Sequence, residues 1–348
     1  MPTMKASLYD GNGVMNVVDF PRPEAGPGDA IVRVTASGIC GTDLHRNTSG
    51  APAEDVPRGH EVAGEVVEVG DGVDPRMIGQ RVAIDIHGHG RACTRCWYCR
   101  IGQYYQCLDR GPSEGGGFAE YIRRKVIGCY VMPDNLSWEE GALVEPFAVG
   151  IHGVRRGQLV GGETVAVLGA GTIGLTTIAA SRALGAGRVL VTARHEHQAV
   201  MARRLGADNA FSPDGPAFLE AVAEATGGRG ADLTIETVGG SSEVALKQAL
   251  DVTRRQGRVV VLGLYRRPMT VDLLSPLFKE QSIIFSACYS ILDGRHDYEI
   301  AIDLMASGKV PLKELVTHTF PLEDIQKGFD TAYDKATGSI KVQIHQVN

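Results

Sequence analysis

The stretch Ala92–Cys107, ACTRCWYCRIGQYYQC, holds four of the chain's seven cysteines, at 93, 96, 99 and 107. Thiolates spaced C-x2-C-x2-C-x7-C can all reach one ion. Four of them close a tetrahedral shell with no position left for a substrate, which predicts a structural zinc site. Arg, Gln and Tyr are interleaved with them, unlike the texture of buried core thiols. A closed cage does no chemistry, so the reactive residues must lie elsewhere.

Three further stretches carry metal-ligating or proton-carrying types. GICGTDLH supplies Cys40, Thr42, Asp43 and His45, and RGHEVAGEVVEVG supplies His60 and Glu61. LVEPFAVGIHGV supplies Glu145, with Pro146 suited to a first helical position after it. Singly, each has a plain structural reading: Cys40 as a small buried hydrophobe, His60 as a core histidine, Glu145 as a helix cap. A fourth stretch, VAVLGAGTIG, places Gly169, Gly171 and Gly174 in a G-x-G-x-x-G pattern that includes Thr172 and Ile173. It follows an apolar run and opens a helical pattern, the context a dinucleotide pyrophosphate needs.

An acid accepting the adenosine ribose of NAD is expected ~20 residues after such a loop. Nineteen residues after Gly174 stands Ala193, followed by Arg194, in VLVTARHEH. Without the carboxylate nothing repels a 2′-phosphate, and Arg194 can meet one. NADP is therefore the expected cofactor, with NAD as second choice. His195 and His197 are candidate assistants.

The elements around these residues fall into two textures. Up to about residue 150 the chain reads as short strands with turn signals: KASLYD, DAIVRVTASGI, EVAGEVVEVG and QRVAID. From about 155, apolar strands alternate with helical runs (ETVAVLG, TIGLTTIAASRALGA, RVLVTA, EHQAVMARRLGA, ADLTIETVG, SEVALKQALDVT, GRVVVLG), which implies βαβ units and a parallel sheet. The length of 348 residues suits two domains. Acidic residues outnumber basic ones, 41 to 35, and no basic run stands out, so a nucleic-acid partner is not expected. No apolar run approaches the ~18 residues of a membrane span. The start MPTMKASLYDGNG lacks the apolar core of a signal peptide. A cytoplasmic address is expected, where disulfides are rare.

Taken in order, the Cys40, His60 and Glu145 stretches, the cysteine cluster and the glycine loop resemble the zinc-containing medium-chain alcohol dehydrogenases, from about residue 5 to 340. Glu145 before Pro146 resembles the branch of sorbitol, butanediol and related polyol dehydrogenases. The VTAR stretch resembles NADP-dependent ketose reductases of that branch. The resemblance implies an α/β protein. A GroES-like β-rich catalytic domain would take residues 1–150 and 287–348, and a doubly wound Rossmann parallel-sheet cofactor domain 151–286, with the active site in the cleft. It implies two zinc ions, one held by Cys93, Cys96, Cys99 and Cys107, the other by Cys40, His60 and Glu145. Glu61 would be a fourth ligand or lie just behind the ligands. Thr42 would accept the proton of the reacting alcohol and pass it by way of the cofactor ribose to His45, while Asp43 orients His60.

The expected reaction interconverts a secondary alcohol or polyol and its carbonyl by hydride exchange with NADP(H). The alternatives are an L-threonine 3-dehydrogenase or other NAD-dependent zinc alcohol dehydrogenase, a zinc-free enone reductase, and a non-enzymatic zinc or nucleic-acid module. The three-ligand set and the acidic balance argue against the last two. A homodimer or homotetramer is expected, the strand SIIFSA (282–287) pairing with its mate. Phe118 and the 288–296 loop are expected at the substrate pocket, with Arg295 and His296 in a solvated loop. His87 and His89 are read as solvated, and Cys129 and Cys288 as packing.

Overall fold

Alternation of apolar and polar residues makes Asp29–Gly38 the hub of a seven-stranded sheet. It pairs antiparallel with Glu61–Val69, with Tyr121–Lys125 and with Lys341–His345. Arg81–Asp85 and Cys129–Val131 extend the sheet on one side and Val316–Pro321 on the other. Val32, Val34, Val62, Val66, Val82, Ile84 and Ile122 fill its core. A hairpin, Thr3–Tyr9 with Met15–Pro21, stands beside it as a sheet of its own.

From Thr164 to Phe285 the strands are parallel. Their order across the second sheet is Asn209–Phe211, Arg188–Thr192, Thr164–Leu168, Ala231–Glu236, Thr253–Val261 and Ser282–Phe285. This is the doubly wound order in which the sequence direction reverses beside the first strand, the place where dinucleotides lie. The strands here are nearly continuous apolar runs, as sheets covered on both faces require. Helices Thr172–Ala183, Glu196–Arg204, Ala217–Ala225 and Val244–Val252 connect them. The short strand Asn209–Phe211 and the helix Ala217–Ala225 were not expected from the sequence.

The computed structural model describes residues 2–48 and 50–346. The chain divides into one unit running to Glu145 and containing 289–308 and the chain from 312 onward, and another of 146–288 with 309–311. The expected junctions, at 150/151 and 286/287, carry no loop signal at the first because a single helix, Trp138–Arg156, runs across it. Pro146 is therefore not at a first helical position. The helix starts earlier, where Ser137 and Glu140 exchange backbone-to-side-chain bonds in a capping box (Ser137 N to Glu140 Oε2 2.9 Å, Glu140 N to Ser137 Oγ 3.4 Å). Pro146 sits in the helix interior.

Ser282–Phe285 is an edge strand of the parallel sheet, with Phe285 73% exposed. Leu274, Leu277 and Phe278 of the short helix before it are exposed as well. No helix among the described residues is long and apolar enough to cross a membrane.

Candidate active site and metal centres

The cysteine lobe is built from short turns. Cys96 precedes the helical turn Trp97–Arg100, and Tyr104–Gln106 is a second single turn. All four cysteines are free thiols. Their sulfurs stand 3.9 Å (Cys93–Cys99), 3.5 Å (Cys96–Cys99) and 4.0 Å (Cys96–Cys107) apart. A disulfide needs about 2.05 Å. Four sulfurs about 2.3 Å from a tetrahedral zinc lie about 3.8 Å from one another. Backbone N–H groups of Cys93 and Cys96 point at the Cys107 and Cys93 sulfurs, both at 3.3 Å, and stabilise thiolate charge. The donors thus fit a closed structural site.

The second set forms at one end of the seven-stranded sheet. Gly38, Glu61 and Asp85 are register partners there, and Lys341 opens the strand beside Gly38. A Cβ on Gly38 would stand 1.8 Å from Glu61 Oε2, so glycine makes room for the carboxylate. Cys40 precedes the helix Gly41–Thr48, and Asp43 in its first turn accepts the Cys40 N–H at 3.0 Å. This fixes the turn that carries Cys40 and Thr42. Ligand atoms of Cys40, His60 and Glu61 all lie within 4.8 Å of one another. Asp43 Oδ1 is 3.9 Å from His60 Nδ1, a charge neighbour at longer than hydrogen-bond distance. Thr42 and His45 are half-buried on the same helix.

Glu145, buried at the end of the first unit, lies outside that close trio and joins it electrostatically. Burial pushes its carboxyl well up, against the pull of His60 and with a further push from Glu61. For His60, burial disfavours the imidazolium, but Cys40, Asp43 and Glu145 outweigh it and raise its pKa well above the usual value. A buried pocket this rich in acceptors calls for a cation. The thiolate, imidazole and carboxylate types are those zinc takes.

One cation is already present. Lys341 is fully buried and donates to both Glu61 oxygens at 2.7 Å and to the Ile39 carbonyl at 3.0 Å. Nothing local to GSIKVQIH signals this, because its partner lies 280 residues away.

In the second unit, Gly169 has φ +95°, and a Cβ on Gly174 would stand 2.0 Å from the Gly169 carbonyl oxygen. The tight turn and close helix approach of a phosphate loop are both there. Gly171 caps the helix Thr172–Ala183, whose first residues Thr172 and Ile173 are half-buried.

Residues 26–134 match the model of the alcohol dehydrogenase GroES-like domain, and 172–307 that of the zinc-binding dehydrogenases. Sorbitol dehydrogenase of Bacillus subtilis is 34% identical, the match covering 98% of this chain and 97% of that protein. L-idonate 5-dehydrogenase of Vitis vinifera is also 34% identical, covering 96% and 93%. The chain belongs to the zinc-containing medium-chain alcohol dehydrogenases, in their sorbitol and polyol-like group. A protein of Sinorhizobium meliloti 1021 solved bound to NADP shares the dehydrogenase fold, with TM-score 0.87, 30% identity and coverage of 99% and 100%.

In this dehydrogenase the end of the second parallel strand carries buried Ala193 and exposed Arg194. The His195 and His197 rings stack at 5.4 Å. Arg203 reaches Glu196, at 3.5 Å, and the Ala210 carbonyl, at 3.5 Å. Several expectations for the catalytic unit fail. Phe118 is fully buried against Phe329 in a core cluster and is no pocket residue. His87 is half-buried, its ring 5.0 Å from that of His60.

His89 is buried, not solvated, and so is His296, which belongs to a short hairpin and not to a solvated loop. With Asp85 they form a third close trio. Asp85 accepts the Gly88 and His89 N–H groups at 2.5 and 2.6 Å, and His89 Nδ1 meets the Tyr130 hydroxyl at 2.6 Å. His296 Nδ1 accepts the Tyr298 N–H, which leaves the ring proton on Nε2 and spoils that nitrogen as a ligand. The trio therefore reads as a polar core knot.

Proposed function

We propose that this dehydrogenase interconverts a secondary alcohol or polyol and its carbonyl with NADP(H) as preferred partner. The observation that carries the reading is the convergence of Cys40, His60 and Glu61, with buried Glu145 beside them, at the end of one sheet. When bound there, zinc supplies Lewis acidity toward an alcohol or carbonyl oxygen, and the nicotinamide supplies the hydride chemistry. The chain's own residues do the rest. Thr42 holds and accepts the proton of the reacting hydroxyl. His45, one turn on, is its outlet. Asp43 fixes the helix start, and with it Cys40 and Thr42. Glu61 is a ligand in waiting, held by Lys341. A threonine-type amino alcohol remains the second reading among substrates.

NADP preference is supported by the absence of an acid at Ala193 and by exposed Arg194, which has no ion pair among the described residues. A charge-assisted bond contributes about 1.5–3 kcal/mol, roughly ten- to hundredfold in affinity. In kcat/KM assays over a panel of secondary alcohols and polyols, NADP should exceed NAD by at least tenfold, and Ala193→Asp should move the ratio toward NAD. A parent that prefers NAD, or a variant whose ratio does not move, overturns the cofactor assignment.

Two zinc equivalents per chain should be found by metal analysis, the chelator-labile one in the Cys40–His60 set. Cys96→Ser should lose one equivalent and unfold more readily. A well-folded Cys96→Ser protein that keeps both metals defeats the structural assignment. We further read the exposed edge Ser282–Phe285 as the self-pairing surface of a dimer or tetramer, and the cytoplasm as the place of action of a chain carrying seven free thiols.

A further inference from the structure

Three guanidinium groups, those of Arg91, Arg110 and Arg124, act together on His87, whose ring lies 5.0 Å from that of His60. Residues 87–91 leave the strand Arg81–Asp85 at its site end, and Arg110 and Gly111 return to it after the cysteine lobe. Arg91 donates through Nε and Nη2 to the Gly111 carbonyl, at 2.9 and 2.7 Å. Arg124, on the strand Tyr121–Lys125, is fully buried and donates to the carbonyls of Arg123 and Gly115. Arg110 donates through Nη2 to the carbonyl of His87, the residue whose ring abuts that of His60.

None of the three has a carboxylate at ion-pair distance among the described residues. Glu114, whose charge is felt by Arg91 and Arg124, is bound to Arg123 at 2.6 Å. Asp85 is held by the N–H groups of Gly88 and His89. The uncompensated charge is felt locally. Burial lowers the His87 imidazole to about 3, with His60, Arg110, Arg124 and Arg91 adding to the effect. Burial lowers Arg124 to about 10.

Buried charges are ordinarily paired, because leaving one unpaired is costly. Arg91 and Arg124 brace the loop through two bonds each to carbonyls, Arg124 keeping a buried Nε with no acceptor. Arg110, half-buried, makes one such bond. It carries five N–H donors, uses Nη2 on His87, lies over the Tyr105 ring at 5.0 Å, and keeps a buried Nε with no acceptor. A planar fork with free donors is suited to a carboxylate or a phosphate.

We propose that the substrate carries an oxyanion group, a carboxylate or a phosphate ester on a polyol chain, and that Arg110 receives it beside the metal set. The inference rests on the dehydrogenase reading above. The substrate would thus be an acidic polyol and not a neutral one. The hydroxyl to be oxidised lies toward Cys40 and His60, and the anion toward Arg110.

The test compares sorbitol, gluconate and sorbitol 6-phosphate on the zinc-loaded protein, by calorimetric Kd and by kcat/KM with both cofactors. Gluconate or sorbitol 6-phosphate should bind at least tenfold tighter than sorbitol, and which of the two does so tells carboxylate from phosphate. Arg110→Met should reduce the acid-to-neutral ratio by about ten- to hundredfold, and Arg110→Lys by less. Because the ratio is taken within one protein, a general loss of folding does not imitate the effect. Sorbitol binding as tightly as both acids, or a ratio unchanged in Arg110→Met, overturns the proposal. If acids bind through Arg110 but no alcohol is oxidised with either cofactor, the anion site stands and the dehydrogenase reading falls.

Discussion

Thr42→Ala is expected to lower kcat by about 10²- to 10⁴-fold, the range that positioned proton transfer contributes, while the Kd for the nicotinamide cofactor stays within about twofold. The expectation follows from position. Thr42 is two residues from Cys40 in the first turn of Gly41–Thr48, and Asp43 locks that turn by accepting the Cys40 N–H. A hydroxyl both donates and accepts, so it can take a proton from one neighbour while giving its own to another. Alanine fills the same helical position without either ability and leaves the lock intact. Thr42→Ser should restore most of the rate. His45→Gln should cost less, since water can replace the outermost carrier. Steady-state rates, with cofactor binding measured separately, decide the matter. An alanine variant that turns over like the parent means the proton leaves by another path.

What could be read from the sequence was what is contiguous. The cysteine cage and the glycine loop each lie within about fifteen residues, so their spacing alone implies their geometry, and the sulfur separations and the Gly169 turn agree with it. The parallel strands were legible because burial on both faces leaves uninterrupted apolar runs. Asn209–Phe211 was not, being three residues with one aromatic and no alternation. The misread residues are those whose surroundings come from distant segments. Phe118 is set by Phe329, and His89 by Tyr130 and by Asp85 four residues earlier. His296 reads as a loop residue until the strand carrying Asp85 is placed behind it. Pro146 looked like a helix start because the true start, Ser137 with Glu140, lies nine residues upstream and Pro146 is tolerated in the interior. Arg110 gave no local signal, since an arginine after a polar turn is usually solvated.

Lys341→Met is expected to destabilise the metal-free protein by about 3–5 kcal/mol, the cost of removing one partner of a buried ion pair. Both partners are 2% exposed or less, and both Glu61 oxygens take the same ammonium at 2.7 Å. Burial works against the lysine's charge, yet Glu61 and Cys40 outweigh it and raise its pKa. Methionine has nearly the same length and would fill the space, so the loss is electrostatic and leaves little cavity. It strands a carboxylate beside Cys40 and Glu145, with the His60 imidazole as its remaining partner near the site. At about 2–4 °C per kcal/mol for a domain of this size, the first melting transition of the chelated protein should fall by roughly 6–20 °C. Two companion measurements separate the pair from mere packing. Glu61→Gln in the Lys341→Met background should recover most of the loss, because the stranded charge is gone. Zinc should stabilise Lys341→Met more than the parent, because a released Glu61 is a better ligand for the cation than one shared with an ammonium. If the double variant is no more stable than Lys341→Met alone, and zinc raises both melting points equally, the pair is not what holds that end of the sheet together.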